Sequence, residues 1–504
     1  MGNHQKILLN SVVVYIKIII NAVITLISTR IVLSALGVEH YGLYTLLNGV
    51  MVMLSFLNGA LMVSTQRFLS VAIGENQLDK LKVIFNSSIT IHLILAVALF
   101  IIFFAIQPLL IDHVLNIPSS LVKDAHIIYD IMVFSSICTF LQVPFSAVMN
   151  AHEDIYVWAI VEVFNCILKL ISAILILHIN DYRMVFYTLF IFISLVLSIL
   201  LKIIWCRRKY SEVVFSLEDM KNKTMLRSMF GFIGWNTLGT SATLVRDQGL
   251  AILFNVFYGT VINAAYGVAS QINGIIQTFA STITNVFAPS IMKAHGSGDD
   301  IRMLEIAFLS SKLSFLISTL TAIPLLLFTT ELLEIWLGDV PEYSVAFSRV
   351  LIVAFVLMQL TPGMNRVIYA VGNIKWYQIA ITVILFLIPI LGYVALKAGK
   401  DPVFVLSFIV VGQILTTISN VIFSYKECAF NIRKFIITSI IKPIASFVVI
   451  ILLAKSILNM FSHTLINIVL FTLALCILYL CSYFIVVLSK SEKQNVLSLI
   501  KLKK

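Results

Sequence analysis

Charge is scarce in this chain. Of its 504 residues only 12% are Asp, Glu, Lys or Arg, against 60% hydrophobic, and the mean hydropathy is +1.02. Such a surface could not hold the several soluble domains that the length would otherwise imply. The six cysteines form no CxxC pair and the nine histidines no ligand spacing, so neither a disulfide frame nor a metal site organises the fold. No glycine-rich loop ending in Lys-Ser/Thr occurs, which excludes an ATP-driven pump built from this chain alone. Strict alternation of polar and apolar residues is also missing from runs such as 89–106, and a transmembrane barrel requires it. The short polar stretch 1–10 runs into an apolar segment with no small-residue cleavage site, so no removed signal peptide is expected.

What is present is a series of apolar runs, each of about 20 residues and long enough to cross a hydrocarbon layer of about 30 Å as a helix. Read between charged or turn-rich breaks, they predict fourteen spans: 11–33, 42–64, 83–107, 125–149, 155–178, 184–205, 230–257, 261–288, 304–328, 343–369, 376–396, 403–424, 435–458 and 464–488. The fold class is therefore an all-α polytopic membrane protein. The net charge of +11 then reads as a signal of orientation, with no nucleic-acid partner implied. With the N-terminus inside, 24 of the 35 Lys and Arg fall on the cytoplasmic side, Lys202 and Arg366 among them; 5 fall outside and 6 within spans. This asymmetry predicts an even number of spans and two cytoplasmic termini.

The chain also repeats itself. Tyr41-Gly42 and Asn48-Gly49 open the second span, and Tyr266-Gly267 and Asn273-Gly274 open the eighth, 225 positions later. Gln142 and Pro144, followed by Ala151 and Asp154, match Gln359 and Pro362, followed by Ala370 and Asn373, at the ends of the fourth and tenth. Six helices separate the members of each pair, so the halves enter the membrane in the same direction, as parallel repeats. The expected organisation is an N-lobe of six helices (1–206), a cytoplasmic link (207–229), a C-lobe of six helices (230–426), and two further helices with a basic tail (427–504). The plain reading of the Tyr-Gly and Asn-Gly pairs is close helix packing. Pro144 and Pro362 should kink their helices by removing a backbone donor.

The segment 29–37, the two Tyr-Gly pairs, Arg246-Asp247 and Gly259 resemble the O-antigen (Wzx-type) polysaccharide flippases, in the superfamily that also holds lipid II flippases and the MATE drug exporters. The resemblance extends over the whole chain, but its motifs are loose. It implies two MATE-like lobes that work by alternating access in a bacterial cytoplasmic (inner) membrane. It also implies a cargo of undecaprenyl-diphosphate-linked oligosaccharide, for O-antigen, capsule or exopolysaccharide, with polysaccharide-polymerising enzymes as candidate partners.

Ionisable residues within spans are costly, about 2.5 to 3.5 kcal/mol each at a helix centre, and so tend to face protein or water. The cations are Lys17, Arg30, Lys169, Arg246, Lys312 and Arg349, and the clear anions are Asp130, Glu162 and Asp247. The cationic excess suits a diphosphate. If the first and seventh helices border a central cleft, as the resemblance implies, Lys17, Arg30 and Arg246 form a graded cationic path; Arg30 either lines that path or snorkels to the outer headgroups. Glu162 and Lys169, two turns apart on one face, are expected to join an ion network through neighbouring helices. Asp247, directed about 100° from Arg246, is free to balance a cavity cation or to take up a proton or sodium ion. No resident cofactor is expected.

Two rivals remain. A MATE-type drug antiporter would carry cations using a carboxylate in the first lobe, whereas span 11–33 holds Lys17 and Arg30 and no acid. A membrane glycosyltransferase or polysaccharide polymerase would need acid and base groups on sizeable outer loops. The longest outer loop, 329–342, offers four acids and no base.

Overall fold

The computed structural model describes residues 3–52, 55–115, 117, 119, 121–337, 340–458, 465–489, 492 and 493. Every regular element among them is helical. Inside a bilayer each backbone polar group must find its partner within the segment, and a helix achieves that locally.

The chain divides into two compact units, Leu9–Thr237 and Leu238–Lys504, the latter joined by Met1–Leu8. The first contains most of α1 (Asn3–Val52), then α2 (Ser55–Gly74), α3 (Leu78–Leu109), α4 (Val122–Leu141), α5 (Val143–Ala151), α6 (Ile155–Leu175), α7 (Arg183–Lys209), the single turn α8 (Leu217–Met220) and the start of α9 (Lys223–Gly296). The second contains the rest of α9, then α10 (Asp300–Leu327), α11 (Thr329–Leu337), α12 (Ser344–Met358), α13 (Pro362–Val371), α14 (Lys375–Lys397), α15 (Pro402–Glu427), the short α16 (Ile432–Phe435), α17 (Lys442–Leu458) and α18 (Leu465–Val486). The boundary lies inside α9, so the link 207–229 and the first residues of the seventh span are packed with the first unit.

Among the described residues, ten helices are long and apolar enough to cross a membrane, and the bent pair α12 and α13, taken as one span, makes an eleventh. Each of these coincides with one expected span. The other three expected spans fall in helical segments as well: the second in α1 and α2, the seventh and eighth in α9. In α1 the backbone leaves helical geometry at Gly37 (φ 77°, ψ 169°), separating the first expected span from the second. α9 spans 74 residues as one element, yet the chain doubles back within it. The Phe254 and Tyr266 rings lie 5.4 Å apart and the Tyr266 hydroxyl donates to the Asp247 carbonyl at 3.4 Å, whereas a straight helix would separate residues 247 and 266 by about 28 Å.

The proline kinks occur at equivalent places in the two halves. α4 ends at Gln142 and α5 carries Pro144 in its first turn; α12 and α13 meet at 49°, with Pro362 in the first turn of α13. The second bend is fixed by contact as well as by proline. The Gly363 N–H donates to Ser311 Oγ at 3.1 Å, and a Cβ at Gly363 would stand 1.9 Å from the Ala307 carbonyl oxygen, so α13 lies against α10 at a separation only glycine permits.

Apolar cores fill each unit, while rows of Leu, Ile, Val and Phe remain on the outer helix faces, as a lipid-facing surface requires. The two additional helices belong to the core of the second unit: Tyr479 and Tyr483 of α18 are fully buried, and their hydroxyls bond Thr319 Oγ1 at 2.8 Å and the Lys312 carbonyl at 2.7 Å on α10.

The link is strapped to the first unit. The buried Asn86 side chain on α3 donates to the Val214 carbonyl and accepts from the Ser216 N–H, both at 2.9 Å. Tyr210 stacks on His152 with centroids 4.4 Å apart and donates its hydroxyl to Asp154. His152 Nε2 lies 2.5 Å from Glu212. Burial works to raise the Glu212 carboxyl, but the hydrogen bond and charge of His152 outweigh it and hold the carboxyl below its ordinary range.

Candidate functional site

In an apolar lobe, a cavity lined by amides, hydroxyls and charge needs water or cargo to justify it. The unit Leu238–Lys504 has such a cavity, of about 460 Å³. The two arms of α9 form one side, contributing Thr243, Arg246, Asp247 and Gln248 from the first arm and Tyr266, Ser270, Asn273 and Gln277 from the second. α12 closes the apolar side with Leu351, Ala354, Phe355 and Met358, and α15 adds Gln413. Two glycines of the repeat, Gly267 and Gly274, lie in this wall, and a Cβ at either would meet nothing within 4 Å. The expectation of close packing at these glycines is therefore corrected: here they leave room. Asn273 Oδ1 is buried beside the cavity without a hydrogen-bond partner.

The other unit has a smaller equivalent, about 220 Å³, lined by Tyr44, Asn48 and Asn58 and by Met132, Ser135, Ser136 and Thr139 of α4. The α4 residues stand 219 positions before Leu351, Ala354, Phe355 and Met358, so the same helix face walls both cavities. Asn48 and Asn273 are the repeat partners. The halves differ in chemistry: hydroxyls and amides line the first cavity, with no charged group among the described residues of its lining, while the second holds Arg246 and Asp247.

Arg246, 13% exposed, donates from Nε to Asp247 Oδ1 at 2.7 Å. This corrects the expectation that adjacent side chains diverge by about 100°: both are long enough to bend toward the cavity and meet there. The guanidinium's terminal amino groups have no partner among the described residues. Asp247, 42% exposed, partly neutralises the cation and keeps one carboxylate oxygen available.

The remaining expected residues fall differently. Lys17 lies in the unit Leu9–Thr237, its ammonium 3.9 Å above the Trp158 ring of α6. Arg30, in the same unit, is exposed. Glu162 meets Lys202 at 2.7 Å, and Lys202 also donates to Gln142 at 2.9 Å; Lys169 is exposed on α6 and is not the group that pairs with Glu162. Lys202, counted from its position among cytoplasmic cations, is 2% exposed inside α7 and is corrected to a core charge. In the sequence its place near the end of a span reads as an ordinary basic terminus. Asp130 accepts from Gln107 at 3.0 Å, and Arg349 donates to Thr329 at 3.1 Å. Lys312 is 5% exposed and bonds both carboxylate oxygens of Glu492 at 2.9 Å, so it is held by the C-terminal segment instead of snorkelling. No group of three or more potential metal ligands occurs among the described residues.

No family model matches the chain. Over 316 residues it is 22% identical to the uncharacterized membrane protein EpsK of Bacillus subtilis (strain 168), a match covering 63% of this chain; the chain spans 62% of that relative's length. Among solved structures, a MATE protein in the bent conformation superposes with a TM-score of 0.74 at 16% identity, over 87% of this chain and 97% of that one. An outward-facing multidrug resistance MATE transporter of the MOP superfamily gives 0.71 at 16% identity, over 84% and 96%. A MOP superfamily transporter from Pyrococcus furiosus, described as having a binding pocket of reversed polarity that suggests a different function, gives 0.72 at 15%, over 84% and 96%. The chain is a multi-pass membrane protein with the fold of the MATE transporters of the MOP superfamily.

Proposed function

We propose that this protein is a transporter that moves an undecaprenyl-diphosphate-linked oligosaccharide across the cytoplasmic membrane of a bacterium by alternating access. The observation that carries the proposal is the cavity at Arg246. A permanent cation there faces amide and hydroxyl side chains, with its terminal amino groups unengaged. A diphosphate supplies the paired oxygens that a guanidinium fork accepts, and Asn273, Gln277 and Gln413 match sugar hydroxyls. The Pyrococcus furiosus neighbour is itself described by its pocket polarity, so polarity is a property in which members of this fold differ. Lys17 and Arg30 are the first unit's candidates for the same anion. Enzymes that polymerise the exported repeat units are the natural partners.

A second reading, a cation-coupled drug antiporter, is favoured by one observation: the first unit does hold a membrane-embedded carboxylate, Glu162. Its engagement by Lys202 leaves it less available to an incoming cation. Under either reading Asp247 and Glu162 are the carboxylates that could take up a coupling proton or sodium ion.

The test uses the full chain in proteoliposomes holding a fluorescent undecaprenyl-diphosphate oligosaccharide, with transfer between leaflets read by an impermeant quencher. Transfer is expected with the natural chain, to fall at least about tenfold in Arg246→Ala and to survive partly in Arg246→Lys, which keeps the charge but loses the fork. Asp247 is hydrated in the cavity, so the Ala variant should accumulate normally. Unchanged transfer in Arg246→Ala would remove the substrate role, and efflux of an organic cation without lipid transfer would favour the antiporter.

A further inference from the structure

Polar side chains continue beyond the cavity. The second arm of α9 carries an uninterrupted polar stripe on the face that lines it: Ser270, Asn273, Gln277, Ser281 and Asn285 follow at helical spacing. Gln277, Ser281 and Asn285 are exposed. On a lipid-facing surface such a row would be costly, so this face borders water or cargo. From Ser270 to Asn285 the stripe covers about 23 Å, most of the thickness of a hydrocarbon core.

At its far end stands a second guanidinium. Arg366 of α13 donates from Nη2 to Asn285 Oδ1 at 3.1 Å, and its Nε is buried without a partner. No carboxylate pairs with it among the described residues. Its position follows from the two helices that wall the cavity. Asn285 lies eight residues beyond Gln277 on α9, and Arg366 eight residues beyond Met358 across the α12–α13 bend, so the walls run on together and meet at this contact. Position in the sequence had suggested an ordinary cytoplasmic arginine. A guanidinium that is half-buried, unneutralised and held only by a neutral amide is instead arranged for an anion that arrives from outside the protein.

We propose that Arg366 and Asn285 form a second oxyanion station in this lobe, toward the Gly296 end of α9, which binds the phosphate ester of a lipid-linked cargo at the opposite end of the stripe from Arg246. The identity of that cargo rests on the transport reading above. The anion is held at one end of the lobe or the other, and the amides and hydroxyls between the stations serve the glycan. Arg366 supplies the charge. Asn285 holds the guanidinium in place without neutralising it.

The probe is farnesyl diphosphate, titrated onto the purified full-length chain in nanodiscs. The natural chain should show two binding phases. Arg366→Ala should remove one and Arg246→Ala the other, each weakening its own phase by at least about tenfold. Asn285→Asp guards against misfolding, because it places a carboxylate against Arg366, should fold as well as the natural chain and should still lose the same phase. If both phases persist in well-folded Arg366→Ala or Asn285→Asp, the station is overturned. If Arg246→Ala alone leaves binding unchanged, the cavity reading fails while this one stands. Loss of both phases in Asn285→Asp would show a single shared site and would also overturn the proposal.

Discussion

A lysine sealed among helices keeps its charge only if something negative reaches it. Lys202 meets that condition through Glu162, with Gln142 as a second acceptor. Removing one partner strands the other. Glu162→Gln leaves a 2% exposed ammonium with neutral acceptors only and should cost about 3 to 5 kcal/mol. In Glu162→Gln/Lys202→Met the charge is gone, and much of the lost stability should return. Thermal unfolding of the purified single and double variants checks this: equal losses in both would mean that Lys202 matters for its packing and not for its charge. The pair also illustrates what a sequence conceals. The acid at position 162 is visible in the sequence as a costly group within a span, and a link through a neighbouring helix is expected for it, but the sequence does not say which residue supplies that link. The actual partner lies 40 residues away on a neighbouring helix, and only the packing of α6 against α7 selects it. Arg366 was hidden for a related reason, since charge near the end of a span reads as topology until its environment is known.

Among the elements, apolar length was the most readable property and the path of the backbone the least. Eleven expected spans are recovered because uniform hydrophobicity is what lipid demands of a helix surface. The two arms of α9 also wall the polar cavity, which is why Arg246, Asp247, Gln248, Asn273 and Gln277 interrupt its apolar residues. Pro144 and Pro362 mark their breaks, whereas no proline marks the place where α9 doubles back. The link 207–229 is tied to the first unit through its backbone at Val214 and Ser216 and through Tyr210 and Glu212. Asn86→Ala removes two of the bonds that hold the strap, and amide exchange at 212–220 should quicken by about tenfold or more. Acid should loosen the same segment. A carboxyl whose folded pKa is depressed contributes stability above its ordinary value, here 4.5, and loses that contribution as pH falls through the folded value. The protection of the strap's amides, taken relative to their intrinsic exchange rates from pH 7 downward, should therefore hold to about pH 4.5 and fall below it. In Glu212→Gln the acid-dependent step should shrink, and an unaltered profile would place the linkage in another group.

At the scale of the whole molecule, the direction in which the chain is threaded rests on charge. Withdrawing Lys202, now a core charge, and Arg366, now a cavity cation, from the 24 assigned to one side leaves 22 against 5, so the asymmetry does not depend on either. Lys490 and the closing Lys501, Lys503 and Lys504 fall outside the described residues and are placed by sequence alone. The segment from the end of α7 to the start of α9 holds Arg207, Arg208, Lys209, Lys221 and Lys223, a cluster that the charge rule predicts on the cytoplasmic face. Ser211 is exposed beside that cluster, and so reports its side. Introduced as a single cysteine in a chain whose six native cysteines are replaced, Ser211→Cys should resist an impermeant maleimide in intact cells and react once the membrane is opened. Labelling in intact cells would invert the molecule and exchange the sides assigned to the two guanidinium stations. Cargo would then meet Arg246 from the cytoplasm and Arg366 from outside, reversing the order in which the stations are used while leaving the chemistry of each unchanged.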